Sequence, residues 1–497
     1  MTVEDHARTG ARLRVFCASL LLLALLVLTR LPLLVSADCI NADAAIVLLM
    51  ARHFAAGDFT PYFWGQRYMG SIEPLLLMPL GWFGAITPRA GELFTLGFAL
   101  LQLWQVTRLA RRIGAPWFAA GLLFALAPAV TAAGQMSLYG ARQPCISLSL
   151  WAFERAISED ERGMSVWLGT GAILGVAFFG DHLTAAYTLP IAYLAWRRRT
   201  LRPLLAGLVP IVMLDVTLAS LSAAGRHSLP QDPRSWLSGV RLFFGSALPR
   251  YLGLDWLDPS THLQAGWFWK LGTGAAIASL CCLLGWLVKR VRAPSDARLP
   301  VLMLGSTAAL VGAFHVIGAL DTESSRYLLL GVAPFSLLAA WAMARRSVRV
   351  MGVLLAGLVS PRIPSTIDLH ARNVGRGAAC RNDVAAQIAT LRRLEVRAIW
   401  ADYWDAYPLA LASQETLPIG LPLRANRRPC WTYAARAATP VAYLAPSEQH
   451  KLYARVRAAA PDAVWEAVGA RRITRLPHAL PGLDGKEPPG VPPACRP

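Results

Sequence analysis

The residues of this chain best placed to do chemistry interrupt or flank its apolar runs. Asp181 and His182 break the run GVAFFGDHLTAAYTLP. An ionisable pair there is costly unless it faces a polar cavity or the edge of the apolar layer. It reads either as a functional group, with a divalent metal as one version, or as a satisfied cap at a helix turn. Arg326 and Tyr327 open the run SSRYLLLGVAPFSLLAAW. A guanidinium there can grip phosphate oxygens through paired hydrogen bonds, or it can snorkel at an interface or pair with Asp321 or Glu323. Arg67, Arg142 and Lys270 are further cations of this kind. Asp43 stands just before AAIVLLMARHFA, and Asp38 lies shortly upstream. A carboxylate at such a place either caps the coming helix or takes a proton from a reacting group. Glu73, in GSIEPLL, poses the same choice between a helix-start carboxylate and a cavity wall.

The elements that must position these residues are mostly apolar. Of 497 residues, 55% are hydrophobic and 16% charged, against about 25% charged in soluble domains. Apolar runs of roughly 16–23 residues recur over the first three quarters, close to the length a helix needs to cross about 30 Å of hydrocarbon. Val15 to Val35 is too long for a signal peptide, contains Arg30, and is followed by no cleavage pattern, so it reads as a retained first span. The net charge of +19 sits in short Arg clusters between the runs, which argues for topology signals rather than nucleic-acid binding. Eight Cys without a CxxC pair or Cys/His ligand spacing argue against a zinc module.

Arg8/Arg12/Arg14, Arg108/Arg111/Arg112, Arg197 to Arg202, Lys289 to Arg298 and Arg345/Arg346/Arg349 can all be placed on one side, which is the cytoplasmic side. The matching spans lie near 15–36, 91–109, 116–133, 142–156, 165–180, 183–196, 203–221, 266–288, 300–319, 327–343 and 349–361. The N-terminus is then inside, and loops 37–90, 134–141, 222–265 and 320–326 are outside with everything after about residue 362. Within the first loop, Ile46, Leu49, Met50 and Phe54 make one face of a helix over 44–56, with Arg52 and His53 opposite, as expected for a helix lying along the outer interface. Tyr62, Phe63, Trp64 and Tyr68 suit headgroup depth. Asp383 to Leu394 reads as a helix, and Val396 to Trp400 and Pro440 to Leu444 as strands.

The expected architecture is therefore a polytopic α-helical membrane protein of about eleven transmembrane helices with an outer juxtamembrane helix, plus a small C-terminal α/β domain. Its division is 1–361 transmembrane, 362–480 extracytoplasmic and 481–497 a Pro- and Gly-rich disordered tail. Cys380 and Cys430 both fall in an oxidising compartment on this topology, and a disulfide between them is expected.

Residues 41–77, NADAAIVLLMARHFAAGDFTPYFWGQRYMGSIEPLLL, resemble the first outer loop of bacterial C-type glycosyltransferases related to the protein mannosyltransferase and aminoarabinose transferase families. SSRYLLLGVAPFSLLAAW (324–341) is similar to the Arg-Tyr-Leu-Leu-Pro start of a late span in that family, and ADYWDAYPLALASQE (401–415) to a recurrent segment of its outer domain. This chain departs from the pattern in three places. Asp43 is followed by Ala44 where the family often has an acidic pair, and Leu330-Gly331 replaces the proline. In the second outer loop Tyr139, Arg142 and Gln143 stand where relatives often carry an acid. These departures bear on a second acidic role and on any divalent metal.

The resemblance implies a membrane glycosyltransferase that joins the sugar of a polyprenyl-phosphate-linked donor to an acceptor on the non-cytoplasmic face of a bacterial inner membrane. Asp43 would be the general base, with Asp38 as its alternate, and Arg326 with Tyr327 and Arg142 would hold the lipid phosphate. Glu73, Asp181, His182, Arg67 and Tyr68 would line the cavity. Because phosphate leaves as a stable anion, one carboxylate suffices, and no acid need protonate the leaving oxygen. The acceptor would be a lipid-linked glycan, a polysaccharide or a protein. A polyprenyl-lipid transporter or flippase is the alternative, but its ion sites would be expected near the bilayer midplane, whereas the polar residues here gather at outer ends. A cysteine introduced at position 450 should be labelled by an impermeant thiol reagent from the non-cytoplasmic face; labelling from the cytoplasm alone would overturn the topology.

Overall fold

The computed structural model describes residues 3–66, 69–127, 136, 138, 142–158, 163–221, 233–252, 267–292, 298–318, 328–344, 346–373, 375–421 and 429–481. The helices up to residue 359 are α1 (Val3–Val35), α2 (Ala42–Ala55), α3 (Ile72–Trp82), α4 (Pro88–Arg112), α5 (Trp117–Ala125), α6 (Arg142–Ile157), α7 (Met164–Gly180) and α8 (Ala185–Arg197). They continue with α9 (Leu201–Leu221), α10 (Pro233–Leu242), α11 (Leu248–Leu252), α12 (Trp267–Arg292), α13 (Arg298–Gly318), α14 (Val332–Met343) and α15 (Val348–Val359). Thr9–Val35, Pro88–Arg112, Leu201–Leu221, Thr273–Val291 and Leu299–Ile317 are long and apolar enough to cross a membrane. The remaining expected spans form helices too, but shorter ones.

Where the sequence suggests a span over 116–133, α5 ends at Ala125. A helix end inside an apolar layer leaves carbonyls that no water can satisfy. Two buried arginines supply the missing donors. Arg30, from α1, donates to the carbonyl of Ala125, and Thr29 donates to the same oxygen at 3.1 Å. Arg362 donates to the carbonyls of Leu123 and Leu126, each at 3.2 Å. Cations at a helix C-terminus also face its negative end favourably. A second polar seam joins α4 to α6. Gln102 Nε2 donates to Gln143 Oε1 at 3.1 Å, Gln105 Nε2 to the Ser147 carbonyl at 2.9 Å, and Glu154 takes Arg108 and Arg112 together at 2.5 and 2.8 Å.

The chain continues through α16 (Arg362–Asn373) and α17 (Arg376–Arg393) into β1 (Ala398–Ala401), α18 (Tyr403–Ala412), β2 (Ile419–Gly420), α19 (Pro429–Ala437), β3 (Val441–Ala445), α20 (Lys451–Ala459), β4 (Trp465–Val468) and β5 (Arg471–Leu476). The strands form one sheet in the order β2-β1-β3-β5-β4. β1 runs parallel to β2 and β3, and β5 antiparallel to β3 and β4. Alternate residues point to opposite faces of a strand. Ile399, Ala401, Ala442, Leu444 and Ile473 therefore share a core with α2 and α18, while Ala398, Trp400, Val441, Tyr443 and Leu476 pack with Leu452 and Val456 of α20. The expected strands at 396–400 and 440–444 correspond to β1 and β3. The sequence reading does not include β2, which has two residues, or β4 and β5; in RRITRL the arginines mask the alternation. The expected tail, 481–497, lies almost wholly outside the described residues.

Two expectations are corrected here. The helix over 44–56 does not lie on an interface with one face exposed. Ala44 to Ala51 are all buried, because α18 covers the side opposite the bundle. Arg52 donates to the carbonyls of Leu411 and Ile86 at 3.0 and 3.3 Å, and His53 Nε2 lies 2.7 Å from Glu415 Oε2. Burial lowers the Arg52 pKa, and Glu415 partly offsets that effect.

The second correction concerns the disulfide, which joins Cys380 to Cys39 rather than to Cys430. The start of α17 packs on the end of α1 so closely that a Cβ at Gly377 would meet the Val35 carbonyl at 2.4 Å. That contact brings Cys380, one turn later, to a Cα–Cα distance of 5.2 Å from Cys39, within the range a disulfide bridges. Cys430 is disulfide-bonded to a different partner. Peptide mapping without reductant should recover one linked pair containing Cys39 and Cys380; two free thiols in exported protein would remove this tie.

Candidate functional site

The site begins where α1 ends. α2 starts at Ala42, and its N-cap is Asn41, whose side chain accepts from the Ala44 N–H at 2.9 Å. Capping is thus assigned to Asn41, and the reading of Asp43 as the cap is corrected. An Asn two residues ahead of the acid is an equally good cap, and it is the residue with extended backbone. Asp43 lies in the first turn, where the positive helix end favours a carboxylate. Its Oδ1 accepts from the Tyr403 hydroxyl at 2.6 Å. Asp38 is held differently. Its Oδ2 pairs with Arg381 at 2.7 Å and lies 3.7 Å from Arg89, so it ties the loop after α1 to α17.

Beyond α2, the loop to α3 folds back onto the end of α7. Gly70 donates to the carbonyls of Phe179 and Gly180 at 3.1 and 3.0 Å, and a Cβ there would meet Phe179 at 2.7 Å. Met69 forms an isolated β-bridge with Asp181. This docking gathers three of the predicted residues. Glu73 is fully buried and its Oε1 accepts from the Gln143 N–H at 3.3 Å. Arg142, 2% exposed, pairs through Nε with Asp181 Oδ2 at 3.0 Å. Asp181 Oδ1 accepts from the Leu183 N–H at 3.0 Å, so this carboxylate is both a cap and half of a buried ion pair.

His182 points elsewhere. It stacks on Phe178, and its Nε2 lies 2.9 Å from Asp215 Oδ2. The Tyr62 hydroxyl donates to the other oxygen, Oδ1, at 2.7 Å. Burial first, and then the Asp215 carboxylate, push the Tyr62 phenol above its usual range, so it stays a protonated donor. Asp181 and His182 therefore face different partners and present no joint ligand set for a metal. Among the described residues, no group of three or more His, Cys, Asp and Glu side chains comes together as one.

Sequence reasoning missed Asp215, although it interrupts α9 as plainly as Asp181 and His182 interrupt their run, and the cost of an ionisable group in an apolar helix is the signal that finds it. It read Tyr62 as an interfacial aromatic, whereas the ring is buried. Tyr403 carried no signal beyond its place in the segment 401–415. Arg67, Tyr68, Tyr139, Arg326 and Tyr327 lie outside the described residues.

The described residues also enclose a polar cleft and an apolar cavity. A polar cleft of about 510 Å³ separates α17 and α18 from the loop after α1 and is lined by Asp38, Arg52, Arg381, Gln387, Trp404 and Arg471 among others. An apolar cavity of about 410 Å³ opens among α11 to α14, lined by residues such as Phe243, Leu283, Val311, Leu338 and Ala342 with Tyr251.

A bundle of apolar helices carrying a small C-terminal α/β region, with α2 packed between the two, defines an architecture of the membrane-protein type. The same fold is found in ArnT from Cupriavidus metallidurans. The apo structure of that protein matches with a TM-score of 0.58 at 14% identity, over 97% of this chain and 100% of that one. The structure bound to undecaprenyl phosphate matches with a TM-score of 0.55 at 14% identity, over 96% of this chain and 100% of that one. This is the aminoarabinose transferase fold that the motifs of the sequence resemble. No protein-family model matches the chain, and no curated protein is significantly similar to it.

Breaking a buried ion pair from one side typically costs about 3–5 kcal/mol, because the remaining charge stays buried. Arg142→Leu should lower the stability of the purified protein by about that amount, read from thermal unfolding in detergent. Wild-type stability would show that Arg142 is not held in this pair.

Proposed function

We propose that the chain is a polytopic membrane glycosyltransferase that moves a hexosyl or pentosyl group from a polyprenyl-phosphate donor to an acceptor on the non-cytoplasmic face of a bacterial inner membrane. On this reading the N-terminus is cytoplasmic, residues 1–361 form the membrane domain and 362–480 the outer domain. The observation that carries it is the fold, shared end to end with ArnT, one structure of which holds undecaprenyl phosphate. The apolar cavity among α11 to α14 is of a kind that suits a prenyl chain.

In the proposed reaction, Asp43 accepts the proton of the attacking acceptor oxygen as that oxygen bonds to the anomeric carbon. The bond from that carbon to the phosphate oxygen breaks, and polyprenyl phosphate leaves as an anion. Positive charge near the leaving group stabilises it, and Arg326 with Tyr327 is assigned that role. Arg142, expected at the lipid phosphate, has its Nε paired with Asp181 Oδ2 and is reassigned to the cavity wall with Glu73, Asp181 and His182. Asp38 is the lesser candidate for the base, since Arg381 and Arg89 engage its carboxylate.

Asp43→Asn should abolish transfer while leaving the protein folded, because Asn41 rather than Asp43 caps α2. A base of this kind contributes about 10²–10⁴-fold in rate. The measurement is sugar transfer by purified protein from radiolabelled polyprenyl-phosphate sugars to cell-envelope fractions, alongside thermal unfolding. A wild-type rate in Asp43→Asn would make Asp43 a structural residue and overturn the mechanism.

A further inference from the structure

We propose that Tyr403 is a positioning residue for the transfer reaction, delivered to Asp43 by the outer domain, so that a competent site exists only when that domain is docked. The proposal rests on the reading of Asp43 as the base. Tyr403 is the first residue of α18, whose N-cap is Asp402. Its ring meets Trp404 and Tyr407 edge-on, at centroid distances of 5.1 and 5.3 Å. From there its hydroxyl donates to Asp43 Oδ1 at 2.6 Å.

The two helices lie side by side and run the same way. Asp43 and Tyr403 meet at their starts, and Arg52 meets the Leu411 carbonyl near their ends. The docking of α18 on α2 is secured without the phenol, by Arg52, by the His53–Glu415 contact and by the apolar core the helices share. The Cys39–Cys380 disulfide adds a covalent tie from the same side of α2. A single further hydrogen bond adds little to an attachment made so many ways. Its effect falls on the carboxylate. A carboxylate can accept about four hydrogen bonds, and a donor at 2.6 Å to Oδ1 helps to fix the plane of the group. Holding a base in one orientation removes a rotation that would otherwise be lost on reaching the transition state.

The test uses full-length protein in lipid nanodiscs and the labelled-donor transfer assay, with Tyr403→Phe beside Asp43→Asn. Tyr403→Phe keeps the ring and its packing and removes only the O–H. It should lower kcat by about 10- to 100-fold, the factor implied by losing one hydrogen bond to a charged group, with KM for donor and the melting temperature unchanged. Wild-type kcat in Tyr403→Phe, with Asp43→Asn inactive, would overturn the positioning role and leave Asp43 as the base. A loss in Tyr403→Phe that comes with a lower melting temperature and a raised KM would also overturn it, assigning Tyr403 to docking alone. Full activity in Asp43→Asn would instead remove the base on which the proposal rests.

Discussion

The structure depends on the burial of α2 over Ala44 to Ala51. A helix buried all round must be apolar all round, and Ala44 to Ala51 meet that demand without a polar residue. The bundle supplies one wall and α18 the other, so one hydrophobic core extends from α2 to a face of the C-terminal sheet. Association of this kind is driven by the apolar area removed from water. It fixes the C-terminal α/β region to the bundle as a packed core rather than by a linker, and the Arg52, His53 and Cys39–Cys380 contacts lie at its margins. Asp43 sits at one end of this buried helix, so its position follows from the docking of both parts.

The polar groups within and beside the bundle follow a common rule. Among the described residues, the buried charges are met by a partner or by a helix end, since an unpaired charge in an apolar interior is prohibitive. Arg30 and Arg362 close the broken end of α5, Arg142 meets Asp181, and Asp215 takes both His182 and Tyr62. Tyr62 on Asp215, Glu73 on Gln143 and Gly70 on Phe179 and Gly180 hold the segment between α2 and α3 and the start of α3 against α9, α6 and α7. Retaining them costs desolvation that an apolar core would not, and what they supply is a defined register of loop on bundle.

At 14% identity the match to ArnT concerns the path of the chain and not its chemistry. Such a fold is specified by the placement of apolar helices and by the satisfaction of their ends, and both tolerate wide substitution. Chemistry rests on a few side chains. Asp43 stands in the first turn of α2, while the buried wall of Glu73, Arg142 and Asp181 is paired internally.

By itself the sequence determined the helical bundle, because long apolar runs have few stable alternatives in lipid. It also determined the existence of a helix after the first span, a C-terminal α/β region with two of its strands, and the ionisable residues worth following. It could not decide partners. Asn41 and Asp43 are both good caps, and only the backbone at the start of α2 assigned the cap to Asn41. Cys380 had several cysteines to choose from, and the close approach of Gly377 to α1 selected Cys39. The amphipathic look of α2 pointed to an interface, until α18, from the far end of the chain, covered its polar side. Tyr403 reaches Asp43 across 360 residues of sequence. Contacts of that separation are set by how elements pack, and no local pattern of residue types encodes them.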